Sequence, residues 1–201
     1  MNDVQQNQEE GVQTQGRTDR RVRADAQRSI DALLQAALDV FMTSGVDAPV
    51  REIAEKAGVG IGTVYRHFPQ RSDLIAAVFR HEINACADAA QSLAAEYTSG
   101  EALARWVQQY AAFLATKRGL ATALHSGNPA YESLPAYFQG RLLPAFRTLL
   151  AAAVAAGEVR ADVDADDLLS AVANLSRQDP DRAGRMIALL VDGLRYGARH
   201  A

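Results

Sequence analysis

Between Val50 and Phe68 the sequence reads VREIAEKAGVGIGTVYRHF, and its last third concentrates side chains suited to gripping a nucleic acid. Thr63 offers a hydroxyl and a methyl, Tyr65 a ring and a hydroxyl, and Arg66 a fork that suits guanine O6/N7 or a phosphate. Gly60 and Gly62 carry no side chain, so at the start of a helix they would let backbone N–H groups come close to a phosphate. His67 and Arg71 are placed to reach the flanking backbone. Two short helices joined by a Gly-containing turn are how a helix is presented to the DNA major groove. The same spacing also fits a plain αα-hairpin with Tyr65 and His67 on its surface.

Other chemistry fails on spacing. His81-Glu82 begins like the zinc-protease HExxH, but Ala85 stands where the second histidine belongs. Asp162, Asp164 and Asp166 alternate as in a calcium loop, yet Asp167 replaces the loop glycine and Ala173 the closing glutamate, so an acidic helix start is expected. Gly58, Gly60 and Gly62 follow no strand and precede no Gly-Lys-Ser/Thr, which removes the phosphate-loop reading. Cys86 is the only cysteine and lies mid-helix, a small buried residue in a reducing compartment. No catalytic set, metal site or cofactor is expected.

The elements that position these residues are helical throughout. Ile30, Leu33, Leu34, Ala37, Leu38 and Phe41 mark one buried stripe of a first helix that ends at Gly45. Pro49 opens a second helix with Val50, Ile53, Ala54 and Ala57 inward, Gly58 ends it, and a third carries Val64 and Phe68 inward. Ser72-Asp73 reads as the N-cap and first-turn acid of a long fourth helix running to about Tyr97, where Ser99-Gly100 breaks the pattern. Beyond lie a helix over about 102–116, an irregular stretch from Gly119 to Pro135, a helix over about 137–156, and two last helices over about 166–177 and 181–197. No strand period recurs, so the fold class is all-α.

Composition agrees with a globular protein. The 201 residues are 48% hydrophobic and 22% charged, with net charge −3, which excludes a bulk polycation. Basic residues nevertheless favour one end: residues 17–81 hold ten basic and eight acidic side chains, against eleven and thirteen over 82–201. Residues 1–22 form a polar arm ending in Arg17, Arg20 and Arg21, with Arg23 just beyond; these arginines read equally as a solvated helix start or as phosphate and minor-groove contacts. No run reaches the ~18 apolar residues of a membrane span and no secretory h-region opens the chain, so a cytoplasmic protein is expected.

The run FMTSGV followed by REIAEKAGVGIGTVYRHFPQRSDLIAAVF resembles the N-terminal domain of the tetracycline-repressor (TetR) family of bacterial transcription regulators. The AGV turn, the segment Gly62, Tyr65, His67, Phe68 and the start of helix four at Arg71, Asp73, Leu74 carry the likeness over some 60 residues. The resemblance implies a three-helix DNA-binding domain over 23–71 and a larger effector-binding and dimerisation domain over 72–201. It implies DNA contacts from Gly60, Ile61, Gly62, Thr63, Tyr65, Arg66 and His67, with Arg71 on a phosphate. Ala48-Pro49-Val50 departs from the Ser or Thr that often caps the second helix, leaving Asp47 as the expected cap.

In the C-terminal part Trp106, Tyr110 and Phe113 recur at helical spacing, and Tyr131, Tyr137 and Phe138 add aromatics beside His125, Ser126 and Asn128. Core packing explains these residues; so does a mostly apolar pocket with a few orienting polar groups, for an uncharged or weakly charged aromatic or lipophilic effector. The apolar stripes Leu168, Leu169, Val172 and Ile187, Leu190, Val191, Leu194 exceed what one chain is expected to cover, which points to a two-fold four-helix bundle. The expected function is a homodimeric repressor of a pseudopalindromic operator, released by a small-molecule ligand.

Overall fold

The computed structural model describes residues 26–124 and 126–198, and these are helical with short connections. Helix α1 spans 26–44; α2 Val50–Ala57, α3 Ile61–His67, α4 Arg71–Glu96, α5 Ser99–Leu124, α6 Leu134–Ala155, α7 Ala165–Leu175 and α8 Pro180–Ala198 follow, with a 3-10 turn at Pro129–Tyr131 before α6. No strand occurs among the described residues. The arm arginines Arg17, Arg20, Arg21 and Arg23 lie outside them, as does His125.

The first three helices close on a small apolar centre. Leu33, Leu34, Ala37, Leu38 and Phe41 of α1 meet Ile53 and Ala54 of α2 and Val64 of α3, all buried, while Phe68 is half-buried at the end of α3. Gly58 ends α2 at φ +68°, where an L side chain is strained, and its N–H turns back onto the carbonyls of Ala54 and Glu55. The N-cap of α2 is Pro49 and makes no side-chain cap, so Asp47 does not cap this helix. Ser44 Oγ instead donates to Glu52 Oε1 at 2.7 Å, tying the end of α1 to the first turn of α2.

Two boundaries differ from expectation for tertiary reasons. Helix α4 starts two residues early: Gln70 is its N-cap and donates its N–H to Asp73 Oδ2 at 3.0 Å, while Ser72 is buried within the first turn. Ser99-Gly100 is the start of α5 instead of a break, because Glu158 reaches across from the α6–α7 connection. Its Oε2 accepts from Thr98 Oγ1 at 2.9 Å and from the Gly100 N–H at 2.7 Å. A Cβ on Gly100 would meet that oxygen at 2.7 Å, so a larger residue there would displace the carboxylate from its cap. At its other end α5 absorbs Gly119 and part of the stretch expected to be irregular. The ~1 kcal/mol that an interior glycine costs is small against packing along α4 and α6.

Helices α4, α5 and α6 pack on one another as the body of the C-terminal part, and α7 and α8 lie against α5 and α6. Asp164 caps α7, accepting from the N–H groups of Asp166 and Asp167, as the acidic run suggested.

Candidate nucleic-acid interface and ligand cavity

Seven residues of α3 place Val64 inward, and at 3.6 residues per turn this fixes what faces out. Gly62 and Arg66 lie opposite Val64, Ile61 and Tyr65 one turn apart on one flank, and Thr63 and His67 on the other. Ile61 is 46% exposed and Tyr65 50%. Arg66 is exposed and pairs with no other described side chain, whereas Arg51 is held by Glu55 at 2.8 Å and Lys56 by Asp39 at 3.3 Å. Open space surrounds the Cβ positions of Gly60 and Gly62. The helix thus offers a guanidinium, a phenol, a hydroxyl and an alkyl group on a ridge kept low by glycine.

Arg71 makes a contact within the chain that the sequence reading did not include. Half-buried at the first position of α4, it donates from Nη1 to the Val46 carbonyl and from Nη2 to the Ala48 carbonyl, clamping the α1–α2 turn onto α4. A guanidinium used twice on backbone carbonyls positions the helix pair.

A cavity of about 340 Å³ opens in the C-terminal part, lined by Phe79, Leu124, Tyr131, Leu134, Pro135, Phe138 and Gln139. Among the described residues no charged side chain lines it; the Tyr131 phenol and the Gln139 carboxamide are the polar groups of that lining. Burial and the nearby Asp73 raise the Tyr131 phenol above its ordinary value, which shows how close the 3-10 turn lies to the first turn of α4.

Of the seven expected ligand residues, Tyr131 and Phe138 line this cavity. Trp106, Tyr110 and Phe113 do not: they are buried behind it in an aromatic stack. Ring centroids lie 5.5 Å apart for Trp106–Tyr110, 5.3 Å for Trp106–Phe146 and 5.9 Å for Phe113–Phe138. Trp106 Nε1 donates to the Cys86 carbonyl at 2.8 Å, and burial pushes the Cys86 thiol up to about 12. Tyr137 is turned toward α4, its hydroxyl donating to Asn84 Oδ1 at 2.7 Å. Phe79, Leu124, Leu134, Pro135 and Gln139 escaped sequence reasoning; Phe79 looked like ordinary core, and the others flank an α6 start that the pattern placed three residues late.

The stripes assigned to dimerisation are covered within the chain. Leu168, Leu169, Val172, Ile187, Val191 and Leu194 are buried against α5 and α6 or each other, and Leu190 is half-buried. The expectation that one chain leaves them bare is therefore corrected. The large apolar side chains that α8 does expose are Met186, Leu189 (66%) and Tyr196 (67%), on an adjacent face with Gly193 between them. Apart from Met42 on α1, the exposed large apolar residues among those described fall on α3 and α8.

A glycine-closed helix-turn-helix with a laden outer face, carried by a long α4 into a helical body that holds a cavity, defines a DNA-binding regulator. Residues 33–78 match the family described as bacterial regulatory proteins, tetR family, and residues 98–196 the SbtR-like transcriptional regulator C-terminal domain. Among solved structures, a TetR transcriptional regulator of Streptomyces coelicolor is 38% identical with a TM-score of 0.72, the match covering 82% of this chain and 97% of that one. A TetR regulatory protein of Mycobacterium vanbaalenii is 37% identical with a TM-score of 0.69, covering 87% and 99%. The chain belongs to the TetR family of bacterial transcription regulators, and is a DNA-binding regulator. The HTH-type regulator SrpR of Pseudomonas putida is 42% identical over 60 residues, a match spanning 29% of this chain and 28% of that protein.

Proposed function

We propose that the protein is a homodimeric repressor that binds a pseudopalindromic operator and leaves it when a neutral, mostly apolar small molecule fills the cavity beside α4. The observation that carries this reading is the shared use of α4: Phe79 lines the cavity, and two turns earlier Arg71 clamps the helix-turn-helix. Two recognition helices read one operator only when their separation matches a helical turn or a multiple of about 34–36 Å. A ligand that prefers α4 in another position weakens DNA binding by its difference in affinity for the two arrangements. A charged ligand would lose hydration against a described lining that holds no charged side chain, which favours a neutral one.

In this reading residues 23–71 bind DNA through Ile61, Thr63, Tyr65, Arg66 and His67, residues 72–201 sense and dimerise, and the protein works in the cytoplasm as a regulator, not an enzyme. A second copy covers the face of α8 that carries Met186, Leu189, Gly193 and Tyr196, with Leu190 at its edge. Among the solved relatives, a FadR of Bacillus subtilis, 19% identical with a TM-score of 0.57, was determined in complex with stearoyl-CoA. The test uses DNA from upstream of the protein's own gene in gel-shift titrations, and the neutral dye Nile red as a cavity probe. Tyr65→Ala is expected to abolish the shift. Leu134→Trp is expected to keep the shift and lose the dye; a variant that loses neither would refute the cavity assignment.

A further inference from the structure

Ile61 is an alkyl side chain that adds little to the core of its own chain. It is 46% exposed at the first position of α3, one turn before Tyr65, while Val64 holds the helix to α1 and α2. The first residues of a recognition helix are the ones that reach base edges. Those edges are donors and acceptors throughout the major groove, with a single alkyl exception, the C5-methyl of thymine.

A hydrogen-bonding edge facing Ile61 would give up water and receive nothing in return, whereas a methyl facing it buries apolar surface on both sides. The neighbours favour such an approach. Gly62, the next residue on the outer face, has no side chain and open space around its Cβ position, so nothing on the helix holds Ile61 away from the base pairs. Tyr65 bounds the same flank one turn on and leaves Ile61 the leading apolar group.

We propose that Ile61 reads a thymine in each operator half-site through contact with its C5-methyl. This rests on the reading of α3 as the helix in the groove.

The full-length parent and Ile61→Ala are each used to select binding sites from random duplex DNA. The parent's sites are then resynthesised with deoxyuridine, which lacks only the methyl, at each selected thymine in turn. One thymine per half-site is expected to be enriched by the parent and not by Ile61→Ala, with the other positions of the site unchanged. Deoxyuridine there is expected to weaken parent binding about fourfold for each methyl removed, and to leave Ile61→Ala binding unaltered. An unchanged thermal melt for Ile61→Ala shows that the exposed residue is dispensable to the fold.

A parent indifferent to deoxyuridine at every selected thymine overturns the inference, as does an Ile61→Ala variant that shows the same deoxyuridine loss. Tyr65→Ala and Arg66→Ala are selected in parallel. If both return the parent's site, or the parent enriches no sequence, the reading of α3 falls and the inference with it. A thymine-indifferent parent whose site does change in Tyr65→Ala or Arg66→Ala overturns the inference alone.

Discussion

Arg71→Ala separates a phosphate contact from a clamp. The guanidinium donates to two carbonyls of the α1–α2 turn, Val46 and Ala48, from a half-buried position. A hydrogen bond involving a charged group contributes about 1.5–3 kcal/mol net, and partial exposure favours the lower figure, so losing both costs about 3 kcal/mol. With a urea dependence of about 1–3 kcal/mol per molar for small proteins, the midpoint should fall by about 1–3 M. Arg71→Lys keeps the charge but not the fork, and is expected to lose about half as much. The second readout is the dependence of operator affinity on salt. A phosphate contact contributes a slope of about 0.9, so a dimer that lost two would show a slope smaller by about 1.8. The clamp predicts weaker binding with the slope unchanged, because no released counterion is at stake. Urea melts followed by circular dichroism and binding isotherms at several salt concentrations give both quantities. An Arg71→Ala protein that melts like the parent and loses about 1.8 from its salt slope would refute the clamp.

Leu189→Glu adds a charge to the exposed face of α8 and should yield a folded monomer in sedimentation, whereas Leu194→Glu buries an unpaired carboxylate in the chain's own core and should cost at least about 3 kcal/mol. An unstable Leu189→Glu or a stable Leu194→Glu would invert this assignment. Trp106→Phe removes the donor to the Cys86 carbonyl and should cost about 1–3 kcal/mol in thermal or urea melts; Nile red binding should persist, since Trp106 does not line the cavity. Glu82 lies between α4 and the N-terminal helices, where burial raises its carboxyl above the ordinary value, with His81 opposing and Asp39 adding to the shift; Asp39 is in turn paired with Lys56, and His81 lies 3.7 Å from Asp31. A raised folded value means that the folded state holds this proton more tightly, so stability from this group grows as pH falls through that value and its ionised form is a burden at neutral pH. Glu82→Gln should therefore melt higher than the parent at pH 7, with the advantage shrinking toward pH 4, and a gain that grew on acidification would contradict the assignment.

The sequence by itself determined the helical class, the stripes of α1 to α3 and the outward set on α3. Helical period and glycine position are local: Ile53, Ala54 and Val64 must share a side, Gly58 must turn the chain, and Ile61, Tyr65 and Arg66 are left outside. The start of α5 was not legible, because its cap is Glu158, 58 residues from Gly100, and no local rule connects them. Arg71 read as a phosphate ligand since a basic residue at a helix start has that chemistry; only the returning α1–α2 turn, 23 and 25 residues away, shows where its donors go. The aromatics divide for the same reason. Trp106, Tyr110 and Phe138 look alike along the chain, and which becomes core and which cavity wall depends on the separation of α4, α5 and α6 at each level. On α8 the sequence marked Leu194 as apolar and Leu189 as apolar, but burial is a property of the neighbours. The packing of α7 and α8 onto α5 and α6 covers Leu194 and leaves Leu189 on the surface.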